Sequence, residues 1–118
     1  MQRQILYGKI HGATVTDARI DYEGSITIDS KLLEAAGIFP HEKVLIANLT
    51  NGSRIESYAL EGTPGKGEIC LNGGAAKYGK KGDLVIIMTF AVMTDEEYRK
   101  HKPTVVRVNA KNEIQLRP

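Results

Sequence analysis

Tyr22-Glu23-Gly24-Ser25-Ile26-Thr27-Ile28-Asp29 is the stretch on which the reading of this chain turns. Its second half alternates apolar and polar side chains, as a strand with one buried face does. Its first half sets a serine directly after a glycine at the mouth of that strand. A serine hydroxyl can attack the carbonyl carbon of the residue before it, exchange the amide for an ester, and then lose the ester by elimination. What is left is a chain that begins with a pyruvoyl group, an electrophilic ketone. Gly24 is expected to assist, because without a Cβ it can enter the strained backbone that brings oxygen and carbonyl together. Gly-Ser by itself is a common turn or linker dipeptide. The strand that follows it here argues against a flexible linker.

Outward from this stretch the pattern is that of many short strands. Alternation predicts strands over residues 3–15 and 17–22, the latter carrying the chain toward Gly24-Ser25. Asp29 or Ser30 can cap a helix over residues 31–36, which Gly37 would end in a left-handed conformation. Strands over 43–50 and 54–60 flank Asn51-Gly52, a strong hairpin turn. Gly62, Gly65 and Gly67 around Pro64 mark a loop before a strand over 68–71. An apolar strand over 84–92 follows, and Thr94-Asp95-Glu96-Glu97 opens a helix that must stop before Pro103. Residues 104–108 and 113–117 read as terminal strands. The expected class is therefore mainly β with short helices, in one small domain over residues 1–118 without linker or internal repeat. A small barrel would bury the apolar faces without open edges, although pattern alone does not select it.

Composition narrows the function. The 16 basic and 14 acidic side chains give a formal charge of +2, too balanced for a phosphate-binding surface, and argue against a nucleic-acid partner. Cys70 is the only cysteine and sits in strand-like Glu68-Ile69-Cys70-Leu71, where a buried small hydrophobe is the favoured reading over a nucleophile. No long apolar run and no secretory pattern at Met1-Gln2-Arg3-Gln4 are present, so the expectation is a cytoplasmic protein without a membrane partner. His41 and His101 stand alone in polar surroundings, and no metal is expected.

Three further constellations hold chemically useful residues. Lys9 and His11 are two apart on a strand and project from one face. Arg54 and Tyr58 also share a face, about 13 Å apart at roughly 3.3 Å per residue; a planar guanidinium fork suits a carboxylate, and a phenol can donate a proton. Ser57 should point the other way, so for Ser57 and Tyr58 to touch one site the strand must bend, bulge or present its backbone. Asn72-Gly73-Gly74-Ala75-Ala76 begins a short helix or turn whose backbone N–H groups could meet an anion. On pattern alone each of these has an ordinary structural explanation as well.

Taken together, Tyr7-Gly8-Lys9-Ile10-His11, Tyr22-Glu23-Gly24-Ser25, Asn51-Gly52-Ser53-Arg54, Ser57-Tyr58, Leu71-Asn72-Gly73-Gly74-Ala75-Ala76 and Gly82-Asp83-Leu84-Val85-Ile86-Ile87 occur in the order and spacing of one family. The chain resembles the aspartate 1-decarboxylases, pyruvoyl enzymes that make β-alanine for pantothenate synthesis. The likeness runs from the first residue to about Pro103. It implies a double-psi β-barrel assembled as a homotetramer, with active sites between subunits. It also implies autocatalytic cleavage into residues 1–24 and 25–118, with Ser25 becoming a pyruvoyl cofactor that accepts the amine of L-aspartate.

Carried over residue by residue, Tyr58 donates a proton after decarboxylation. Lys9, Arg54, Ser57, Gly73, Gly74 and Ala75 bind substrate. His11, Gly24, Ser57 and Asn72 serve processing. Ser57 stands where the family is expected to have threonine, which keeps the hydroxyl but loosens the rotamer. Gly74 stands where many relatives are expected to have alanine. Two cations, Lys9 and Arg54, suit a substrate with two carboxylates. Maturation is either autonomous or assisted by an accessory maturation factor. The alternatives are a non-enzymatic β-barrel interaction module, in which Gly24-Ser25 is a turn, and a pyruvoyl decarboxylase for another acidic amino acid.

Overall fold

The computed structural model describes residues 1–115. In chain order the elements are β1 (Gln2–Thr14), β2 (Asp17–Arg19), β3 (Ser25–Asp29), α1 (Ser30–Ala36), β4 (Lys43–Asn48), β5 (Arg54–Gly62), β6 (Ile69–Asn72), a 3-10 turn (Gly73–Lys77), β7 (Leu84–Thr94), α2 (Asp95–Lys100) and β8 (Thr104–Arg107). The protein is thus mainly β with two short helices, in a single domain. The strands pair in the order β2-β6-β3-β5-β4-β7-β1-β8. Most neighbours are antiparallel, but β3 runs parallel to β5, β2 to β6, and β1 to β8. Among the described residues no pairing conflicts with the double-psi closure that the resemblance implies.

Each boundary has a local cause. The Asp29 carboxylate accepts from Lys31 N at 2.9 Å and caps α1, and Gly37 ends the helix at φ 74°. The same carboxylate takes hydrogen bonds from Gly65 N and Gly67 N at 3.0 and 2.8 Å, tying the glycine loop to the end of β3. Burial opposes this charge, but the three N–H donors win and hold Asp29 below the usual carboxylate range. At Thr94 a reciprocal capping box with Glu97 opens α2.

Several strand ends differ from the sequence reading. The strand expected over 17–22 stops at Arg19, because Tyr22 folds back on Arg19 and leaves Ile20 exposed in a turn. β4 stops at Asn48, whose Oδ1 accepts from Thr50 N and Asn51 N and turns the chain before Asn51-Gly52 is reached. β5 and β7 run on to Gly62 and Thr94. Of the last expected strand, Ile114 makes a single bridge to Val108; residues 116 and 117 lie outside the described residues.

The core lies on the inner faces of β1, β3, β6 and β7, where Ile10, Ile26, Ile28, Ile69, Leu71, Val85 and Ile87 pack together, with Leu32, Leu33 and Ala36 of α1 covering them. Fully burying a side chain of this size is worth about 1.5–3 kcal/mol. The core therefore fixes, by alternation, which residues of each strand face outward.

Candidate active site

Ser25 opens β3 opposite Asn72 at the end of β6. Both are almost fully buried, at 1% and 2% exposure. Asn72 Nδ2 donates to Ser25 Oγ at 2.9 Å and to Thr27 Oγ1 at 3.0 Å. The nearest acceptor for the Ser25 hydroxyl proton is the Glu23 carbonyl, 3.5 Å away and outside ordinary O–H···O range. The segment before the serine is pinned: Arg19 Nη1 donates to Tyr22 Oη at 3.1 Å with its guanidinium 5.2 Å above the Tyr22 ring, and Arg19 also pairs with Asp17 at 3.0 Å.

In the folded chain the steric requirement for glycine falls at Gly73. Gly24 does not have a positive φ, and a Cβ there would meet only Gly74 N at 3.8 Å. Gly73 has φ +60°, and a Cβ on it would collide with the Tyr22 carbonyl oxygen and lie 2.6 Å from Gly24 N. It is Gly73 that lets the 3-10 turn press against the Tyr22–Gly24 backbone. At Gly74 a Cβ would meet nothing, so the alanine expected there would fit equally well.

A cleft of about 510 Å³ opens beside this contact, lined by Gly24, Ser57, Tyr58, Gly74, Ala75 and Tyr78 among others. It also settles how Ser57 and Tyr58 reach one place. β5 is paired along β4 from Arg54 to Tyr58, but its pairing to β3 begins only at Ala59 opposite Ile26. Residues 55–58 therefore present an open strand edge just where β3 starts. Side chains from both faces border the cleft across that edge, with no bend or bulge in the β4–β5 register.

Lys9, His11 and Arg54 do not line this cleft. Lys9 and His11 do share a face of β1, opposite buried Ile10, between two register shifts in the β1–β7 pairing. His11 lies across from Ile86, Ile86 from Ala47, and Ala47 from Arg54. Arg54 thus stands on the same outer face three strand spacings away, about 14 Å at roughly 4.8 Å each. His11 Nδ1 is buried without a hydrogen-bond partner among the described residues. Burial first, then the charges of Lys9 and Arg107, pull the His11 imidazole below its ordinary value of 6.5.

Ser25 and Asn72 thus meet beneath Gly24, which borders the cleft that Ser57 and Tyr58 line, and the sequence that builds this arrangement matches a known family. A sequence model described as "Aspartate decarboxylase" matches residues 1–115. The chain belongs to the aspartate decarboxylase family. It is 53% identical to the aspartate 1-decarboxylase of Listeria monocytogenes over 116 residues, which span 98% of this chain and 91% of the relative. The protein of the same name from Ruminiclostridium cellulolyticum is 56% identical over 114 residues, 97% of this chain and 89% of that one. A third, from Dehalococcoides mccartyi, is 52% identical over 110 residues.

Two contacts of Asn72 beside Ser25, with Cys70 and with Thr27, are not readable from the local sequence. Cys70 is buried, as the sequence predicts, and its Sγ in addition lies 3.3 Å from Asn72 Oδ1. Thr27 is a β3 residue whose Oγ1 accepts from Asn72 Nδ2 at 3.0 Å. Their signal was period two: Ser25 and Thr27 on one strand, Cys70 and Asn72 on the next, are cross-strand pairs on a single face.

Proposed function

We propose that this chain cleaves itself between Gly24 and Ser25 and then decarboxylates L-aspartate to β-alanine and carbon dioxide, the β-alanine serving pantothenate biosynthesis. The observation that carries the reading is the buried Ser25 Oγ, 2.9 Å from the Asn72 amide, at a strand start where Gly24 borders an open cleft. Ser25 Oγ gives up its proton and bonds to the Gly24 carbonyl carbon. The amide C–N bond breaks, leaving an ester and a free amine on Ser25. Elimination removes the Ser25 α-proton and breaks Cβ–Oγ, which releases Gly24 as a carboxylate. Water then replaces the amine, ammonia leaves, and a ketone remains at position 25. Asn72 N–H stabilises charge on Oγ as its proton departs. The products are residues 1–24 and 25–118 of one domain.

The residues present fit a pyruvoyl group at position 25. Asn72 and Thr27 offer polar contacts at its root, and the cleft beyond Gly24 has room for a small amino acid. Once formed, the group supplies an electrophile for the substrate amine and a sink for the electrons left when carbon dioxide departs. Tyr58, 37% exposed at the cleft, donates a proton from Oη to the substrate carbon that has lost its carboxylate. Ser57 and the backbone of Gly73, Gly74 and Ala75 position the substrate. Arg54 and Lys9 take its carboxylates, and His11 supports processing.

Because Lys9 and His11 stand away from the cleft within one chain, the reading includes a homotetramer in which one copy's Lys9–His11 face meets another's cleft. Among the described residues no helix is long and apolar enough to cross a membrane, and the reading places the enzyme in the cytoplasm. Incubating purified protein with L-aspartate, and separately with L-glutamate, tests it by product analysis. Formation of β-alanine and carbon dioxide from aspartate is the expected result. Turnover of glutamate instead would reassign the substrate, and no product from either would reduce the chain to a binding module.

A further inference from the structure

Ser25, Thr27 and Cys70 gather around Asn72 in one polar cluster. Ser25 is opposite Asn72 and Thr27 opposite Cys70 in the β3–β6 ladder, so all four side chains leave the sheet on one face. The Asn72 carboxamide sits at its centre. Its Nδ2 carries two hydrogens and has two hydroxyl oxygens within reach, at 2.9 Å on Ser25 and 3.0 Å on Thr27. Its Oδ1 faces the Cys70 thiol at 3.3 Å. Cys70 is 1% exposed. Its burial pushes the thiol up from its ordinary value, more than the Arg19 charge pulls it down, so a proton stays on sulfur and the group is a donor.

The orientation of an asparagine amide is set only by its partners, since the two ends are alike in shape and opposite in hydrogen-bonding sense. Turned over, Asn72 would present Oδ1 to Ser25 and accept the hydroxyl proton, which removes the donor that the developing charge on Oγ needs. The Cys70 thiol opposes that flip, because it would then face Nδ2–H donor to donor, while the Thr27 hydroxyl takes the second Nδ2 hydrogen and anchors the carboxamide beside Ser25. We propose that Cys70 and Thr27 are positioning residues for cleavage, which together lock the Asn72 carboxamide with its N–H aimed at Ser25 Oγ.

The proposal rests on the cleavage reading above, and its test separates the two. Full-length chain is produced by cell-free translation, and the conversion of intact chain into two fragments is timed by mass spectrometry. The variants are Cys70→Ala, Cys70→Ser, Thr27→Val and Thr27→Ser, each also followed by thermal unfolding. Loss of one neutral hydrogen bond corresponds to a slowing of about 3- to 10-fold. Cys70→Ala and Thr27→Val should each show it, and Cys70→Ser and Thr27→Ser, which keep the polar hydrogen or oxygen, should restore most of the wild-type rate. A merely structural role would make the rate follow thermal stability and not the retained hydroxyl. Cleavage of Cys70→Ala and Thr27→Val at the wild-type rate overturns the proposal while leaving the cleavage reading standing. A wild-type chain that stays intact overturns both.

Discussion

The surroundings of Ser25 and the outer face of β1 handle their polar groups in opposite ways. At Ser25 every buried side chain has a partner from the same chain: Asn72 serves two hydroxyls, and Cys70 serves Asn72. On β1, His11 buries Nδ1 with no partner among the described residues, flanked by the like charges of Lys9 and Arg107. A satisfied network is rigid and specifies one geometry. An unsatisfied imidazole beside two cations is a place where a further group, anionic or accepting, would relieve the cost. Under the proposed function the two regions differ in what completes them: Asn72 reaches Ser25 within one chain, whereas Lys9 and His11 stand away from the cleft and would reach it only from a second copy.

The sharpest way to break this comparison is to remove the nucleophile from the satisfied region. Ser25→Ala should leave one uncleaved chain on a denaturing gel, with no decarboxylase activity above background. The fold should persist, since the β3–β6 ladder needs only the backbone there. Residual cleavage at position 24 in this variant would show that another group attacks.

Tyr58→Phe probes the cleft where the two regions are proposed to meet. The ring remains at the β5 edge and only the hydroxyl is lost, so kcat per mature site should fall by about 10²–10⁴-fold with KM little changed. Turnover must be normalised to cleaved chain, because Tyr58 borders the cleft beside Gly24. A normalised kcat equal to wild type would assign the proton to another donor.

Arg54→Ala should leave cleavage largely intact and lower kcat/KM for aspartate by about 30- to 150-fold, the effect of a lost charge-assisted contact in a dry site. Arg54 is exposed in the isolated chain, so a smaller loss would indicate that no second copy covers it. The smallest effect concerns His11. Its depressed titration means that the folded chain binds fewer protons there than the unfolded one. The stability this contributes is complete above the ordinary value of 6.5 and is lost as pH falls through the folded-state value. Proton NMR titration of the His11 ring should give a midpoint below 6.5; a midpoint above it would mean that a carboxylate reaches the ring.

Much of this was legible in the sequence because the signals were local. The Asp29 cap, the Gly37 stop and the Thr94–Glu97 box each lie within one helical turn, and all three are present. The Gly24-Ser25 pair and Asn72-Gly73 were readable as motifs. Illegible features depended on partners far along the chain. The open edge at Ser57 and Tyr58 exists because β3 joins β5 only from Ile26, a register no local pattern encodes. Cys70 looked apolar until the β3–β6 pairing set it against Asn72. Ile20 and Tyr22 alternated like a strand, but the side chain and backbone bonds to Arg19 turned them out of the sheet.

The central claim is that Gly24-Ser25 is a bond the chain breaks itself, and the intact mass of the purified wild-type protein tests it most directly. Two fragments held together without a covalent bond are expected, one of residues 1–24 and one beginning at position 25. The longer should resist Edman degradation, because its first residue has a ketone in place of an amine. A single uncleaved chain of 118 residues with full decarboxylase activity would contradict the account.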